Sequence, residues 1–357
     1  MPYKSRFLTY APWSGQLNNT RMCFETALIF ALLTGRTLVL PNNYRLENEP
    51  ELVRGRFQPL HPQEFLDLSS IRQVIDIIPY REYAPLCGRS VHKHNVRFGV
   101  NTTVFCHPNI PKNGSVEHAN LVDYAAGRIN LLEFSGEVNK CTIINIETAN
   151  LEHFYTFFFF LDNATAAKCN ALIRDRVRFG PEISNLASMA ASRLGPFSAA
   201  HIRRGDFVQQ YPGQNLPIES LIANITKYAT KGARLYVATD EHDLRFFNRL
   251  HDYYDMVFMA DLNGLFPRKM SKASLACFEQ ELCSLADVFV GTRLSTFSGY
   301  VTRLRGYRNA VDKEVYFTDG YRVREVSLCG MHRYSWSSWL AAGNPLWGRE
   351  YKEGWEW

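Results

Sequence analysis

The sequence lacks the features that mark several special classes of protein. It contains no run of about 18 uncharged apolar residues, so no segment is predicted to span a membrane. It has no C-x-x-C, H-E-x-x-H or D-x-D motif, so no metal site is predicted. The net charge is only +5 over 357 residues and the basic residues form no long run, which argues against nucleic acid as a partner. A local basic cleft for an anionic small molecule is compatible with this charge.

The sequence leaves the cellular compartment open. Residues Met1 to Ser5 do not form a signal peptide, so we expect either a cytosolic protein or a lumenal domain of the secretory pathway without its leader. Cys23, Cys277 and Cys283 lie in apolar helical segments, which favours buried free thiols over disulfides. Glycosylation sequons, which would suit a secreted protein, begin at Asn18, Asn101, Asn113, Asn163 and Asn224.

The first half of the chain begins with a strand, a helix and a second strand. Residues 7–10 and 37–40 are short apolar runs, and between them an apolar segment from about Thr20, capped by Thr20 or Asn19, ends at Gly35. This order predicts a βαβ unit. Residues 42–150 show no clear pattern. The aromatic run 153–161 is too short to span a membrane and is predicted to be a buried strand.

In the second half, short apolar strands alternate with helices, which is typical of a parallel sheet in a doubly wound domain. We therefore predict an N-terminal domain over 1–178, a C-terminal domain over 179–330, and a tryptophan-rich tail over 331–357 that packs across the domain junction. A helix near 182–193 is expected to bury Ile183, Leu186, Met189 and Ala190. The arginines at 303, 305 and 308 are expected to be a solvated helix end.

Three predicted strands of the second half end in side chains that suit an anion. The carboxyl ends of parallel strands meet at one edge of a sheet, where α/β proteins bind ligands. An arginine there presents a charged fork to phosphate, and hydroxyls at a helix N-terminus add further donors. The sequence thus predicts a diphosphate site that needs no metal. The strand-end residues are His201, Arg203 and Asp206; Thr239 and Asp240; and Gly291, Ser295, Thr296, Phe297 and Ser298.

Each of these residues also has a plainer interpretation. Arg203 and Asp206 could form an ordinary surface ion pair, or Asp206 could pair with Arg204. A single serine, Ser295 or Ser298, could simply cap the following helix, and Asp240 with Glu241 could cap another.

Three segments resemble the GDP-fucose-dependent protein O-fucosyltransferases and their plant and microbial relatives, in the same order and at similar separations. They are SGQLNN at 14–19, HIRRGDF at 201–207 and ADVFVGTRLSTFS at 286–298. The resemblance implies an α/β fold of the GT-B type, with two facing Rossmann-like domains and mostly parallel sheets. It places the nucleotide sugar on the second domain and the acceptor on the first.

The resemblance also implies an inverting, metal-independent transfer of fucose from GDP-fucose to a hydroxyl of a protein or glycan acceptor, without a cofactor. It assigns catalysis to Arg203 and Asn19. By the same match, the donor-binding residues are Gly15, Asn18, Asn19, His201, Arg203, Asp240, Glu279, Ser295, Thr296 and Phe297.

The first loop departs from part of that family. Some members carry a glutamate there as the base for the acceptor hydroxyl, whereas residues 12–16 of this chain contain no carboxylate. The base is therefore not identified. Two other functions are compatible with the motifs: a related transferase that uses another nucleotide sugar, of the UDP-rhamnose type, and a non-catalytic protein that binds a nucleotide sugar or glycan.

Overall fold

The chain, seen in a computed structural model, divides into two compact units, one ending at Arg178 and the other beginning at Phe179. No helix within the described residues is long and apolar enough to cross a membrane. The predicted strand at 153–161 and the tail at 331–357 lie outside these residues. The structure describes residues 6–10, 16–41, 61–86, 163–293, 295–310 and 317, together with the backbone of short strands between residues 52 and 146.

A five-stranded parallel sheet forms the first unit. Its strands lie in the order β3-β2-β1-β5-β4, and every neighbouring pair is parallel. The order reverses beside β1, so the switch point, where such sheets bind ligands, lies between β1 and β5. The strands are β1 (Phe7–Tyr10), β2 (Thr37–Leu40), β3 (Ile77–Pro79), β4 (Lys93–Val96) and β5 (Ile143–Ile146).

Helix α1 (Leu17–Thr34) joins β1 to β2 and is buried along most of its length. It ends as predicted at Gly35, whose φ of 61° lies in the left-handed region that glycine adopts without strain. The predicted start near Thr20 is wrong: the N-cap is Gln16, and no side chain caps the helix. Asn18 and Asn19 therefore lie in the first helical turn and not in the preceding loop.

The described part of the first unit also contains smaller elements. Three antiparallel pairs of two-residue strands occur at 52–57, 105–120 and 122–129. The remaining α-helices among the described residues of this unit are α2 (Leu68–Arg72), α3 (Tyr80–Tyr83) and α4 (Asn163–Arg176).

The second unit contains a four-stranded parallel sheet in the order β8-β7-β6-β9. The chain moves outward from β6 to β8 and then returns to the other side of β6. The switch point therefore lies between β6 and β9, the strands that overlap the motifs at 201–207 and 286–298. The strands are β6 (Phe197–Ile202), β7 (Arg234–Thr239), β8 (Asp255–Phe258) and β9 (Phe289–Gly291).

Helices pack against this sheet. The connection between β6 and β7 contains the short helix α7 (Ile218–Ile225), and the segment Leu244–Asp252, after β7, forms a 3₁₀ helix. The other α-helices are α5 (Pro181–Leu194), α6 (Phe207–Gln210), α8 (Lys272–Ser284) and α9 (Thr296–Tyr307).

Helix α5 confirms the predicted amphipathic pattern with one exception. Ile183, Leu186 and Ala190 are buried, as predicted, but Met189 is 55% exposed. At about 100° per residue, Met189 lies roughly 120° around the helix from Ile183, although it follows Leu186 by three residues, and it therefore falls beyond the edge of the buried face. The buried face is completed by Ala187 and Leu194.

The prediction of a solvated arginine cluster at the end of α9 is wrong. Arg303 and Arg305 are buried, and only Arg308 is partly exposed. The Arg303 guanidinium lies 4.6 Å from the ring centroid of Tyr300. Arg305 donates to the carbonyls of Ser284, the last residue of α8, and of Ala286 and Asp287, which lie between α8 and β9. These carbonyls need donors because they lie at or beyond a helix end, and the guanidinium supplies them.

The burial of particular side chains bears on the predicted free thiols and on the glycosylation sequons. The thiols of Cys23, Cys277 and Cys283 are free and buried, as predicted. Asn18 and Asn224 are 6% and 7% exposed, so their sequons are not open to glycosylation in the folded protein.

Candidate active site

Arg203 follows the carboxyl end of β6 and lies between two carboxylates. Its Nη2 donates to Oδ1 of Asp206 at 2.6 Å, and its Nη1 lies 3.0 Å from Oδ2 of Asp240. Its guanidinium is about one-quarter exposed. The predicted pairing of Asp206 with Arg204 is therefore wrong, because Asp206 pairs with Arg203. An exposed guanidinium at a sheet switch point can bind an anionic ligand.

Arg204 points to a different set of partners and holds the loop in place. Its Nε donates to Oε2 of Glu241 at 2.8 Å, and its guanidinium carbon lies 3.8 Å from the ring centroid of Phe246. Its backbone N–H donates to Oδ1 of Asp240 at 2.7 Å. Asp240 and Glu241 thus hold the arginine loop, and the cap of the next helix is Asp243 instead.

Gly205 is required by the close approach of Asp240. A Cβ atom at this position would lie 2.4 Å from Oδ2 of Asp240, well inside contact distance. The glycine therefore lets the Asp240 carboxylate reach both the Arg204 backbone and the Arg203 side chain.

His201, near the end of β6, contacts the first turn of α9. Its Nδ1 lies 2.7 Å from Oγ of Ser298, and its ring stacks on Phe297 with centroids 4.1 Å apart. Burial, together with the positive charge of Arg203, lowers the pKa of His201 to about 3. The imidazole is therefore neutral near pH 7, and it acts as a hydrogen-bonding and stacking group and not as an acid.

The N-terminus of α9 carries no side-chain cap. Ser295 is the N-cap residue, but its hydroxyl makes no capping hydrogen bond, so the plain capping interpretation is wrong for this residue. The Ser298 hydroxyl is engaged by His201. The amides of the first turn, with the positive end of the helix dipole, are thus suited to an anion. Thr296 and Phe297 are both partly exposed there.

Thr292 connects the two strand ends, a role that the sequence did not reveal. Its hydroxyl donates to the carbonyl of His201 at 2.8 Å and accepts from the backbone N–H of Arg203 at 2.9 Å. Beside it, a Cβ atom on Gly291 would lie 2.7 Å from Cβ of Ser298, so only glycine lets the α9 turn pack against β9. The positions of Arg203 and of the α9 N-terminus are therefore coupled.

Glu279 of α8 lies with Tyr236 of β7. The Tyr236 hydroxyl donates to Oε1 of Glu279 at 2.7 Å. Burial raises the pKa of Glu279 to about 7, against the opposing effect of this hydrogen bond. No hydrogen bond from Glu279 to the other predicted donor-binding residues is seen in the described part of the chain. The nearest link is its neighbour Gln280, whose Nε2 donates to the Phe297 carbonyl at 3.3 Å.

The predicted residues of the first unit are only partly described. Asn18 is buried, and its Oδ1 accepts from Nε of Arg21 at 3.3 Å. Arg21 in turn forms a buried ion pair with Glu25 at 2.7 Å. Asn19 is partly exposed in the same helical turn. Gly15 lies outside the described residues.

A small cavity adjoins the arginine loop on the second unit. Its walls combine apolar side chains with the two arginines, and Oε1 of Gln214 is buried there without a hydrogen-bond partner in the described structure. No group of three or more potential metal-ligating side chains is found among the described residues. The cavity is lined by Ile202, Arg203, Arg204, Gln214, Leu216, Leu221, Thr292 and Phe317.

Known structures share this fold. The crystal structure of POFUT1 in complex with GDP matches with a TM-score of 0.55 and 16% identity, over 88% of this chain and 98% of POFUT1. POFUT1 in complex with GDP-fucose matches with a TM-score of 0.54, at the same identity and coverage. At this identity the likeness concerns the fold, and it confirms the predicted α/β fold of the GT-B type. No sequence among the curated proteins matches the chain.

The family model for GDP-fucose protein O-fucosyltransferases matches residues 7–308, which include the described parts of all three motifs. A match over this length covers both sheets and the residues around Arg203. The predicted enzyme class, a GDP-fucose-dependent fucosyltransferase, is confirmed by this match. The chain therefore belongs to the GDP-fucose protein O-fucosyltransferase family.

Proposed function

We propose that this protein transfers fucose from GDP-fucose to a hydroxyl group of a protein or glycan acceptor, with inversion at the anomeric carbon and without a metal ion. One observation carries the proposal. A partly exposed guanidinium, that of Arg203, and an uncapped helix N-terminus, that of α9, are joined through Thr292 at the switch point of the second sheet. POFUT1, a structural neighbour, has been crystallised with GDP and with GDP-fucose.

The chemistry of the transfer explains why these groups suit it. The bond between the fucose anomeric carbon and the β-phosphate oxygen breaks, and its electron pair leaves with GDP. The acceptor oxygen attacks the opposite face of the anomeric carbon and loses its proton, so the configuration inverts. Negative charge therefore grows on the diphosphate, where Arg203 and the amides of the α9 turn would stabilise it. These protein groups supply the stabilisation that a metal ion would otherwise give.

The roles of individual residues are part of the proposal. Arg203 binds the β-phosphate and the departing oxygen, and Asn19 assists from the first unit. Neutral His201 and the ring of Phe297 shape the nucleotide site. The acceptor is bound on the side of the first unit, to residues 1–178, and the nucleotide sugar to residues 179–330. The other proposed donor contacts are Gly15, Asn18, Asp240, Glu279, Ser295 and Thr296.

The acceptor base has no assigned residue. The first loop carries no carboxylate, and His201, with a pKa of about 3, is a poor proton acceptor near pH 7. A loose transition state, in which the anomeric carbon already carries positive charge, lowers the need for a strong base. We therefore propose that departure of GDP contributes more to the rate than activation of the acceptor.

The test is turnover by wild type and by Arg203→Ala, measured as GDP release and as labelled fucose transferred to pooled peptides and oligosaccharides, with EDTA and with magnesium. We expect wild-type transfer to persist in EDTA. We expect Arg203→Ala to lower the rate by about 10²- to 10³-fold, the usual effect of losing one such donor, and to bind GDP within about tenfold of wild type. Arg249→Ala, an exposed arginine of the same unit, is the control.

Three results would contradict the proposal. Turnover with a UDP-sugar alone would indicate the other donor class. Nucleotide binding without any turnover would indicate a binding protein. Equal rates for Arg203→Ala and wild type would remove Arg203 from the mechanism.

A further inference from the structure

The hydroxyl of Ser298 has a single hydrogen-bond partner in the described structure. It lies in the first turn of α9, is fully buried, and its Oγ lies 2.7 Å from Nδ1 of His201. A serine inside a helix often donates to a carbonyl one turn earlier, as Ser188 donates to the Ser184 carbonyl in α5. No such bond of Ser298 is seen among the described residues, so its hydroxyl is committed to His201.

The direction of this hydrogen bond determines which nitrogen of His201 carries the ring proton. The imidazole is neutral near pH 7, so one ring nitrogen is a donor and the other is an acceptor. If Nδ1 carried the hydrogen, Ser298 would have to accept it, and the hydroxyl hydrogen would be buried without an acceptor, which costs free energy. If Nδ1 is the acceptor, the hydroxyl donates to it and both groups are satisfied. The contact therefore favours the tautomer with its hydrogen on Nε2.

In this tautomer His201 presents an N–H donor on the side of the ring away from Ser298. No hydrogen bond of Nε2 is seen within the described part of the chain. The ring lies at the switch point of the sheet, beside Gly291 of β9 and stacked on Phe297. Two neighbouring groups, the Arg203 guanidinium and the first-turn amides of α9, are also donors. An N–H at Nε2 adds to this set of donors, whereas a lone pair there would oppose a negatively charged ligand.

We propose that Ser298 is a positioning residue, whose hydroxyl holds His201 in the Nε2–H tautomer so that this N–H donates to an oxygen of the bound nucleotide. The inference rests on the proposed function, because the nucleotide is the ligand that it invokes. In the other tautomer, the Nε2 lone pair would repel that oxygen. Ser298 itself does not touch the ligand, and it acts only through the imidazole.

The first test determines the tautomer of His201 in the wild-type protein without ligand. The ¹⁵N chemical shift of an imidazole nitrogen differs strongly between its protonated and unprotonated forms, so protein labelled on histidine shows which nitrogen carries the hydrogen. The chain contains 10 histidines, and the signals of His201 are those that are missing from His201→Asn. We expect a protonated Nε2 and an unprotonated Nδ1 near pH 7.

The second test compares Ser298→Ala with wild type. Without the hydroxyl, the Nε2–H tautomer loses its advantage, and we expect the Nδ1–H tautomer to become detectable by NMR. We expect GDP to bind about two- to tenfold more weakly in titration calorimetry, the usual contribution of one hydrogen bond. The matched control is Ser284→Ala, which also removes a buried serine hydroxyl of the second unit, one that donates to the Glu281 carbonyl. We expect this control to keep the wild-type tautomer and the wild-type affinity.

A wild-type His201 that is protonated on Nδ1 would overturn the inference while the proposed function stands, and this result does not depend on the folding of Ser298→Ala. A Ser298→Ala protein with the wild-type tautomer, or with the wild-type affinity for GDP, would also overturn it. An equal loss of affinity in Ser284→Ala would mean that the missing hydroxyl acts through stability and not through the tautomer. A wild-type protein that has the expected tautomer but binds no GDP would instead contradict the proposed function, and with it the ligand contact of His201.

Discussion

Replacing Glu279 by glutamine should raise the free energy of unfolding, relative to that of wild type, as the pH rises from 4.5 to 6.5. Replacing His201 by asparagine should lower the free energy of unfolding, relative to that of wild type, over the same pH range. Burial with the Arg203 charge lowers the pKa of His201 from 6.5 to about 3. Burial raises the pKa of Glu279 from 4.5 to about 7. In this range the unfolded chain holds a proton on His201 that the native protein lacks, whereas the native protein holds a proton on Glu279 that the unfolded chain lacks.

The sizes of the two effects follow from proton linkage. One proton of difference changes the free energy of unfolding by about 1.4 kcal/mol per pH unit. With the pKa values above, His201 adds about 2 kcal/mol to the free energy of unfolding between pH 4.5 and 6.5. The reason is that folding removes a proton from His201, and the cost of removing it falls as the pH rises. Glu279 removes about 2 kcal/mol over the same range, because its raised pKa favours the native state only while the carboxyl is protonated. In wild type the two effects nearly cancel.

The assay is urea unfolding of wild type, Glu279→Gln and His201→Asn at both ends and at the middle of this pH range. The difference between each variant and wild type removes the contribution of all other titrating groups. We expect that difference to rise by about 2 kcal/mol with pH for Glu279→Gln and to fall by about 2 kcal/mol for His201→Asn. Glutamine keeps an acceptor for the Tyr236 hydroxyl, so the comparison isolates charge.

An exposed glutamate of the same unit supplies the control. Glu219→Gln removes a carboxyl that is 59% exposed, and we expect no pH trend of comparable size. A pH-independent difference between Glu279→Gln and wild type would refute the reasoning, because it would mean that Glu279 has the same pKa in the native protein as in the unfolded chain. A pH-independent difference for His201→Asn would likewise mean that His201 gains its proton in the folded state.

Three further substitutions test the packing around Arg203 and the sheet. Gly205→Ala forces Asp240 away from the loop, and we expect at least about tenfold slower transfer with a loss of roughly 1–3 kcal/mol of stability, checked by turnover and thermal unfolding. Thr292→Val leaves the Arg203 amide and the His201 carbonyl without their partner, and should cost about 1–3 kcal/mol in urea unfolding, whereas Thr292→Ser should retain most of it. Arg305→Met leaves the carbonyls of Ser284, Ala286 and Asp287 without their donor, and should lower the free energy of unfolding by about 3 kcal/mol; equality with wild type would show that water replaces the guanidinium.

The strands and their polar ends could be predicted because the relevant signals are local. The parallel strand β6 is mostly apolar and buried at every position, and the charged residues after Ile202 mark its end. Because the carboxyl ends of parallel strands lie at one edge of the sheet, the sequence also predicts that the residues after these strands lie near one another. The start of α1 was missed because prediction relied on a capping side chain, and this helix uses none.

Contacts between distant residues could not be predicted in this way. Nothing in the local sequence shows that Asp240 reaches back to Arg203 and Arg204, because that contact depends on the pairing of β6 with β7. The error at Arg303 and Arg305 has the same origin. A charged residue near a helix end is usually solvated. Only the packed structure reveals the backbone carbonyls to which Arg305 donates hydrogen bonds.

The charge balance around Arg203 explains how the site can favour an anion although its carboxylates outnumber its guanidinia. Asp240 and Glu241 are used internally, one on the loop amide and one on Arg204, so neither needs to leave when a ligand arrives. Asp206 is the most exposed of the three carboxylates. The uncapped N-terminus of α9 has no carboxylate on its amides in the described structure, so it is the part of the site best suited to bind an anion. On this reasoning Arg203 contributes mainly after the sugar bond begins to break, because only then does the β-phosphate carry more than the single negative charge that each aspartate beside Arg203 carries.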